Sequence, residues 1–181
     1  MRQYVTNDSI TGKDIRELRE RLSMTQKDFA VFLRCSKRTV ENWESKDDDE
    51  IKGPIVLVFE LLMRKPELTE KLELPPKKYN IRLIYRKENL ICTVIDVNEQ
   101  KRIVEIRNYV DNPLYRAFGV NTEPTYEDYE EFLRSRVFPD TRDKMKLELK
   151  RMGLPFYDPI MIIEKTNGKM ADDDFSLTIE R

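Results

Sequence analysis

At 181 residues the chain has room for one or two small domains, and 37% charged residues with a mean hydropathy of −0.66 describe a water-exposed protein. No apolar run is long enough to span a bilayer, and the start, MRQYVTNDSI, lacks the apolar core of a signal peptide. Two cysteines and no histidine argue against a zinc site and remove the commonest general base. The expectation is a cytoplasmic, reduced protein that holds no metal or cofactor and is not an enzyme.

Residues 23–44, SMTQKDFAVFLRCSKRTVENWE, predict two short helices joined by a tight turn. Thr25 caps the first, because its hydroxyl can accept a backbone N–H. Gln26 follows in the first turn, where a polar side chain and free amides can grip a phosphate. Phe29, Ala30 and Leu33 recur at helical spacing and face a core, with Ala30 small enough for a second helix to cross closely. Cys35 lies in the turn, and Ser36 is the second N-cap. Val40 and Trp43 form the apolar back of the next helix and are expected to be buried. Lys37, Arg38, Glu41 and Asn42 form its polar front. A helix with an apolar back and a basic front can pack on a scaffold and enter a major groove. Lys37, Arg38, Glu41 and Asn42 are the candidates for reading bases, and Gln26, Ser36 and Thr39 for holding phosphates.

Charge is concentrated there. Residues 13–38 carry eight basic side chains against four acidic ones, a local balance of +4. An acidic run, Asp47, Asp48, Asp49 and Glu50, follows at once. Carboxylates near phosphates cost affinity, so this loop either points away from DNA, restrains non-specific binding, or is a solvated loop with no role. Gly53-Pro54 then starts a helix that is apolar nearly all round through Met63. Either one side is a contact face for a second copy or another domain, or the helix is fully buried. A short helix over 66–72 and the stiff segment Leu74-Pro75-Pro76-Lys77-Lys78 complete the first half.

The second half changes period. Residues 79–86 alternate with Ile81, Leu83 and Tyr85 on one side, 90–97 are β-branched and apolar, and 101–110 alternate again. Short polar breaks between them predict a three-stranded antiparallel meander. After an irregular stretch, 114–124, Thr125 starts a helix bearing Tyr126, Tyr129, Phe132 and Leu133. Asp140-Thr141 is expected to cap a second helix running to Gly153, and Asp158-Pro159 a third that stops at Asn167-Gly168. Residues 175–179 predict a strand that returns to the edge of the meander. Arg134, Arg136 and Arg142 flank Pro139 and are the candidate contacts for a partner carboxylate or anion. Asp172, Asp173 and Asp174 instead offer to pair with them inside the chain, or to hold a divalent metal.

The segment TGKDIRELRERLSMTQKDFAVFLRCSKRTVENWES resembles the XRE/Cro-type regulators of bacteria and phages. It shares the first-helix run at 16–19, Thr25-Gln26, the small Ala30 and the closing Trp43-Glu44, and the resemblance covers about residues 11–72. It implies a helix-turn-helix that binds an operator in double-stranded DNA as a homodimer. More faintly, residues 80–180 resemble the small N-terminal module associated with HipA-like kinase toxins, on Arg136, Pro139, Arg142, Gly168, the run 172–174 and Phe175. The Gly-Leu-Ser-Leu piece of that module is replaced by Gly168-Lys169-Met170-Ala171, and no kinase body is present. The combined expectation is a two-domain protein. Residues 1–74 form an all-α helix-turn-helix domain and residues 79–181 an α+β domain with a small antiparallel meander and three helices. The implied function is an autoregulating repressor or antitoxin that meets a protein such as a HipA-like toxin. The alternative is a mobile-element inhibitor or adaptor whose main target is a protein and whose DNA binding controls its own gene.

Overall fold

The structure, a computed structural model, describes residues 4–181. Its described residues hold eight α-helices, a four-stranded antiparallel sheet and a two-stranded one. The chain forms two compact units that divide between Leu74 and Pro75, inside the proline-rich segment.

The first unit runs β1 (Ile10–Thr11), α1 (Gly12–Arg21), α2 (Gln26–Phe32), α3 (Lys37–Glu44), β2 (Glu50–Ile51), α4 (Pro54–Arg64) and α5 (Leu68–Leu72). It is therefore not all-α: Ile10 pairs with Ile51 and Thr11 with Glu50, antiparallel, on either side of the three helices. Local chemistry sets the helix starts. Thr11 with Asp14, and Thr25 with Asp28, form reciprocal capping boxes that satisfy two otherwise orphaned amides each. Pro54 sits in the first turn of α4 behind Gly53, whose φ of 106° suits glycine. Ile15, Leu18, Phe29, Ala30, Val40, Val56 and Leu62 make the core.

α4 is not the fully buried helix that its composition allowed. Val56 and Leu62 are buried, while Leu57 is 53% and Leu61 47% exposed. Gly12 fixes the approach of α1 to the end of α3: a Cβ there would lie 2.1 Å from the Trp43 carbonyl oxygen and 2.6 Å from that of Lys46. The sequence gives no sign of that close contact, because it joins residues more than thirty positions apart.

The second unit runs β3 (Ile81–Lys87), β4 (Leu90–Asn98), β5 (Ile103–Asn108), a 3-10 turn (Pro113–Tyr115), α6 (Tyr126–Ser135), α7 (Met145–Met152), α8 (Pro159–Thr166) and β6 (Phe175–Glu180). The sheet order is β5-β4-β3-β6. The meander and the returning tail strand form as the alternation predicts, with Tyr85 opposite Leu177 and Leu83 opposite Ile95. Ile81, Leu83, Tyr85, Ile95 and Val97 face one core with Tyr129, Phe132, Leu133, Ile162, Ile163 and Leu177. On the other face, Arg82 and Asp96 form a buried bidentate pair at 2.7 and 2.6 Å, and Arg82 also donates to the carbonyls of Pro75 and Pro76. Both prolines of the stiff segment are thereby tied to the sheet.

Thr125 and Asp128 form a third capping box, and Asp158 caps α8 with Pro159 in its first turn. The helix expected from Asp140 begins later, at Met145. Residues 139–144 are spent in turns in which Arg142 N–H donates to Pro139 O and Met145 N–H to Arg142 O, and Lys144 adopts φ 61°. Tyr129 is buried, and its hydroxyl has no hydrogen-bond partner among the described residues. Burial pushes its phenol far above the ordinary value, so the ring stays neutral.

Candidate nucleic-acid interface

α2 and α3 are joined by four residues, Leu33 to Ser36. Arg34 takes the left-handed conformation, φ 55°, and Cys35 N–H returns to Ala30 O at 3.0 Å, closing α2 in one step. Ser36 opens α3 by accepting the Thr39 amide at 3.1 Å, and its hydroxyl lies 2.8 Å from that of Thr39. Both hydroxyls at this end are therefore already hydrogen-bonded to each other. Cys35 is half-buried against the core, and burial pushes its thiol up, away from reactivity.

The inner face of α3 is Val40 and Glu44, spaced i and i+4, and both are buried. Trp43 is the correction: it is half-buried at the flank of that stripe and packs against the core from the side. The residue that goes in its place is a carboxylate. Glu44 is 5% exposed and accepts from Arg19 at 2.6 and 3.1 Å and from Gln26 Nε2 at 2.9 Å. Arg19 also donates to Met24 O, and Arg16 to Glu44 O. Burial alone would raise the Glu44 carboxyl, but the hydrogen bonds from Arg19 and Gln26 outweigh it and hold it below the ordinary value. The start of α2, the end of α3 and the last turn of α1 are locked together through this one carboxylate.

Gln26 Nε2 donates to Glu44 at 2.9 Å and braces the two helices, which uses one of the two N–H donors of its amide. The outer face of α3 carries Lys37, Arg38, Glu41 and Asn42, the four predicted together. Lys37 and Glu41 pair at 2.7 Å along the helix. Arg38 and Asn42 are exposed, and among the described residues the Arg38 guanidinium has no partner. The acidic loop that follows α3 has three of its four carboxylates paired within the unit. Asp47 pairs with Arg16 at 2.7 Å, Asp49 with Lys46 at 3.4 Å and Glu50 with Lys52 at 2.9 Å.

No protein-family model matches the chain, and no curated protein matches it. The geometry of its side chains is what bears on function.

The arginine corner of the second unit is not one surface. Arg136 is buried, holds Asp173 at 2.6 and 3.0 Å, and donates to the carbonyls of Gly168 and Phe175. It joins the end of α6 to the start of β6, which is the internal pairing that the sequence left open. Its assignment as a partner contact is corrected, since a buried guanidinium whose three nitrogens all donate within the unit is not available outside. Arg134 and Arg142 are exposed, with Arg142 stacked 5.6 Å from the Phe138 ring centroid. No group of three or more metal-ligating side chains stands together among the described residues. No helix among them is long and apolar enough to cross a membrane.

Proposed function

We propose that the chain is a sequence-specific DNA-binding regulator that reads double-stranded DNA with the outer face of α3, in the manner of the XRE/Cro-type proteins its first half resembles. The observation that carries this reading is the division of α3. Val40 and Glu44 anchor one face to the unit, while the side chains of Arg38 and Asn42 stand exposed on the other with no partner among the described residues. Such a helix offers a guanidinium fork and an amide, the groups that pair with guanine and adenine edges in a major groove. Ser36 and Thr39 lie at the helix start, where backbone amides favour a phosphate. The self-neutralised acidic loop lessens the repulsion that its composition suggests. In this reading the second unit is a protein-interaction module, and an autoregulating antitoxin facing a HipA-like toxin is the role its resemblance implies.

Arg38→Ala is the variant that tests the reading face. It is expected to weaken the specific site by about 1–3 kcal/mol and unrelated DNA much less, the scale of a bidentate base contact. Titration of labelled duplexes at fixed salt gives both values. Equal losses on the two kinds of DNA make Arg38 a phosphate contact and remove it from base reading.

A further inference from the structure

Nineteen basic and nineteen acidic side chains leave residues 75–181 without net charge, yet residues 142–151 alone carry five basic against two acidic, a local +3. These residues are the turn before α7 and nearly all of α7 itself. The helix has two unlike faces. Leu149 is buried and Met145, Glu148 and Met152 are half-buried, spaced as one inner face. Lys146, Leu147, Lys150 and Arg151 are exposed on the outer one, Leu147 by 45%. Arg151 pairs with Glu148 at 3.0 Å. Among the described residues Arg142, Lys144, Lys146 and Lys150 form no ion pair, and neither does Asp143, the one other acid of the segment.

Helix stability does not account for these cations. α1, α2 and α6 each begin on a threonine that shares a capping box with an aspartate three residues on. α7 begins on Lys144, whose side chain caps nothing, and Lys146 follows in the first turn. The helix dipole disfavours positive charge at that end, and only Lys150 and Arg151 stand at the end it favours. The outer face instead has the makeup of a recognition surface, an exposed leucine rimmed by cations. Lys146 and Lys150 are four residues apart, about 6 Å along the helix axis. Carboxylates at i and i+4 on a second helix have the same spacing. A phosphate backbone would satisfy the lysines but offers nothing apolar to Leu147.

We propose that the outer face of α7 docks an acidic amphipathic helix of a partner protein, with Leu147 against its apolar side chains and Lys146 and Lys150 against its carboxylates. This rests on reading the second unit as a protein-interaction module, and because no contact of α3 enters its test, this face and DNA reading can fail separately. The probe is a labelled synthetic helical peptide with glutamates at i and i+4 beside leucines, titrated into the full chain at moderate salt and followed by anisotropy. A second peptide of equal charge has serine in place of each leucine. The leucine peptide is expected to bind, and the serine peptide at least about tenfold more weakly. Lys146→Glu with Lys150→Glu is expected to weaken the leucine peptide at least about tenfold, and to take instead a peptide with lysine for every glutamate. Leu147→Ser should weaken the leucine peptide and leave the serine peptide unchanged. All three positions are exposed, so the variants are expected to keep the wild-type thermal transition. No binding, equal affinity for the two peptides, or binding untouched by the charge reversal overturns the proposal. So does duplex DNA whose retention depends on the same two lysines, or phosphatidylserine vesicles bound more tightly than the leucine peptide.

Discussion

Glu44→Ala is expected to destabilise the first unit by about 3–5 kcal/mol, because it leaves the Arg19 guanidinium buried without its counter-charge. Both partners lie deep in the unit, Arg19 13% and Glu44 5% exposed, so water cannot replace what is lost. Three helices meet at this carboxylate, and amide hydrogen exchange in α1, α2 and α3 of the full chain should accelerate together. The sign of the pH dependence follows from the depressed Glu44 value. A carboxyl held lower in the folded state stabilises fully above its unfolded value, about 4.3, and loses that contribution as pH falls through its folded value. The gap in stability between the wild type and Glu44→Gln should therefore be widest near neutrality and close in acid. A gap that stays constant down to acid pH assigns the effect to packing instead of charge.

Arg136→Ala is expected to cost the second unit a similar amount, about 3–5 kcal/mol, and not merely to weaken a contact with another protein. It removes a bidentate pair between a buried guanidinium and a half-buried carboxylate, leaves Asp173 with the Phe175 amide alone, and takes a donor from the Gly168 and Phe175 carbonyls. Arg136→Lys should recover little, since an ammonium cannot span the carboxylate and two carbonyls as a planar fork does. The Arg136 hydrogen bond holds the Asp173 carboxyl below its ordinary value, so this contribution too fades as the pH falls through that depressed value. Thermal unfolding of the full chain, followed by calorimetry, separates the outcomes. A melting profile unchanged from wild type would contradict the structural role of Arg136.

These two ion pairs show what the sequence could and could not disclose. Helix starts are legible where their chemistry is local: Thr25 and Thr125 each find an Asp three residues on, and Asp158 precedes Pro159. The sheet was legible because alternation in 81–86 and 103–106 is a period-two signal, and the tail strand carries the same one. The pairing of Glu44 with Arg19 spans 25 positions and that of Arg136 with Asp173 spans 37, and no local pattern encodes either. Trp43 reads as core in the sequence because an aromatic three residues from Val40 fits the helical period. Glu44, four residues from Val40, fits it equally well, and only its distant arginine makes its burial tolerable. The late start of α7 has a different cause. Asp140 and Thr141 have the chemistry of a cap, but the following turns and left-handed Lys144 delay the helix to Met145.

The outer face of α3 was legible as a set. Lys37, Arg38, Glu41 and Asn42 share it because i, i+1, i+4 and i+5 positions lie together on a helix. The brace from Gln26 to Glu44 is hidden from the sequence for the same reason, since the two lie 18 positions apart.

The central claim, that this face reads DNA sequence, is tested most directly by selection from random duplexes with the full chain. The account predicts enrichment of one motif, and loss of preference at particular positions of that motif when Arg38 or Asn42 is replaced with alanine. Recovery of DNA with no common sequence, or no retention of DNA at moderate salt, would contradict it.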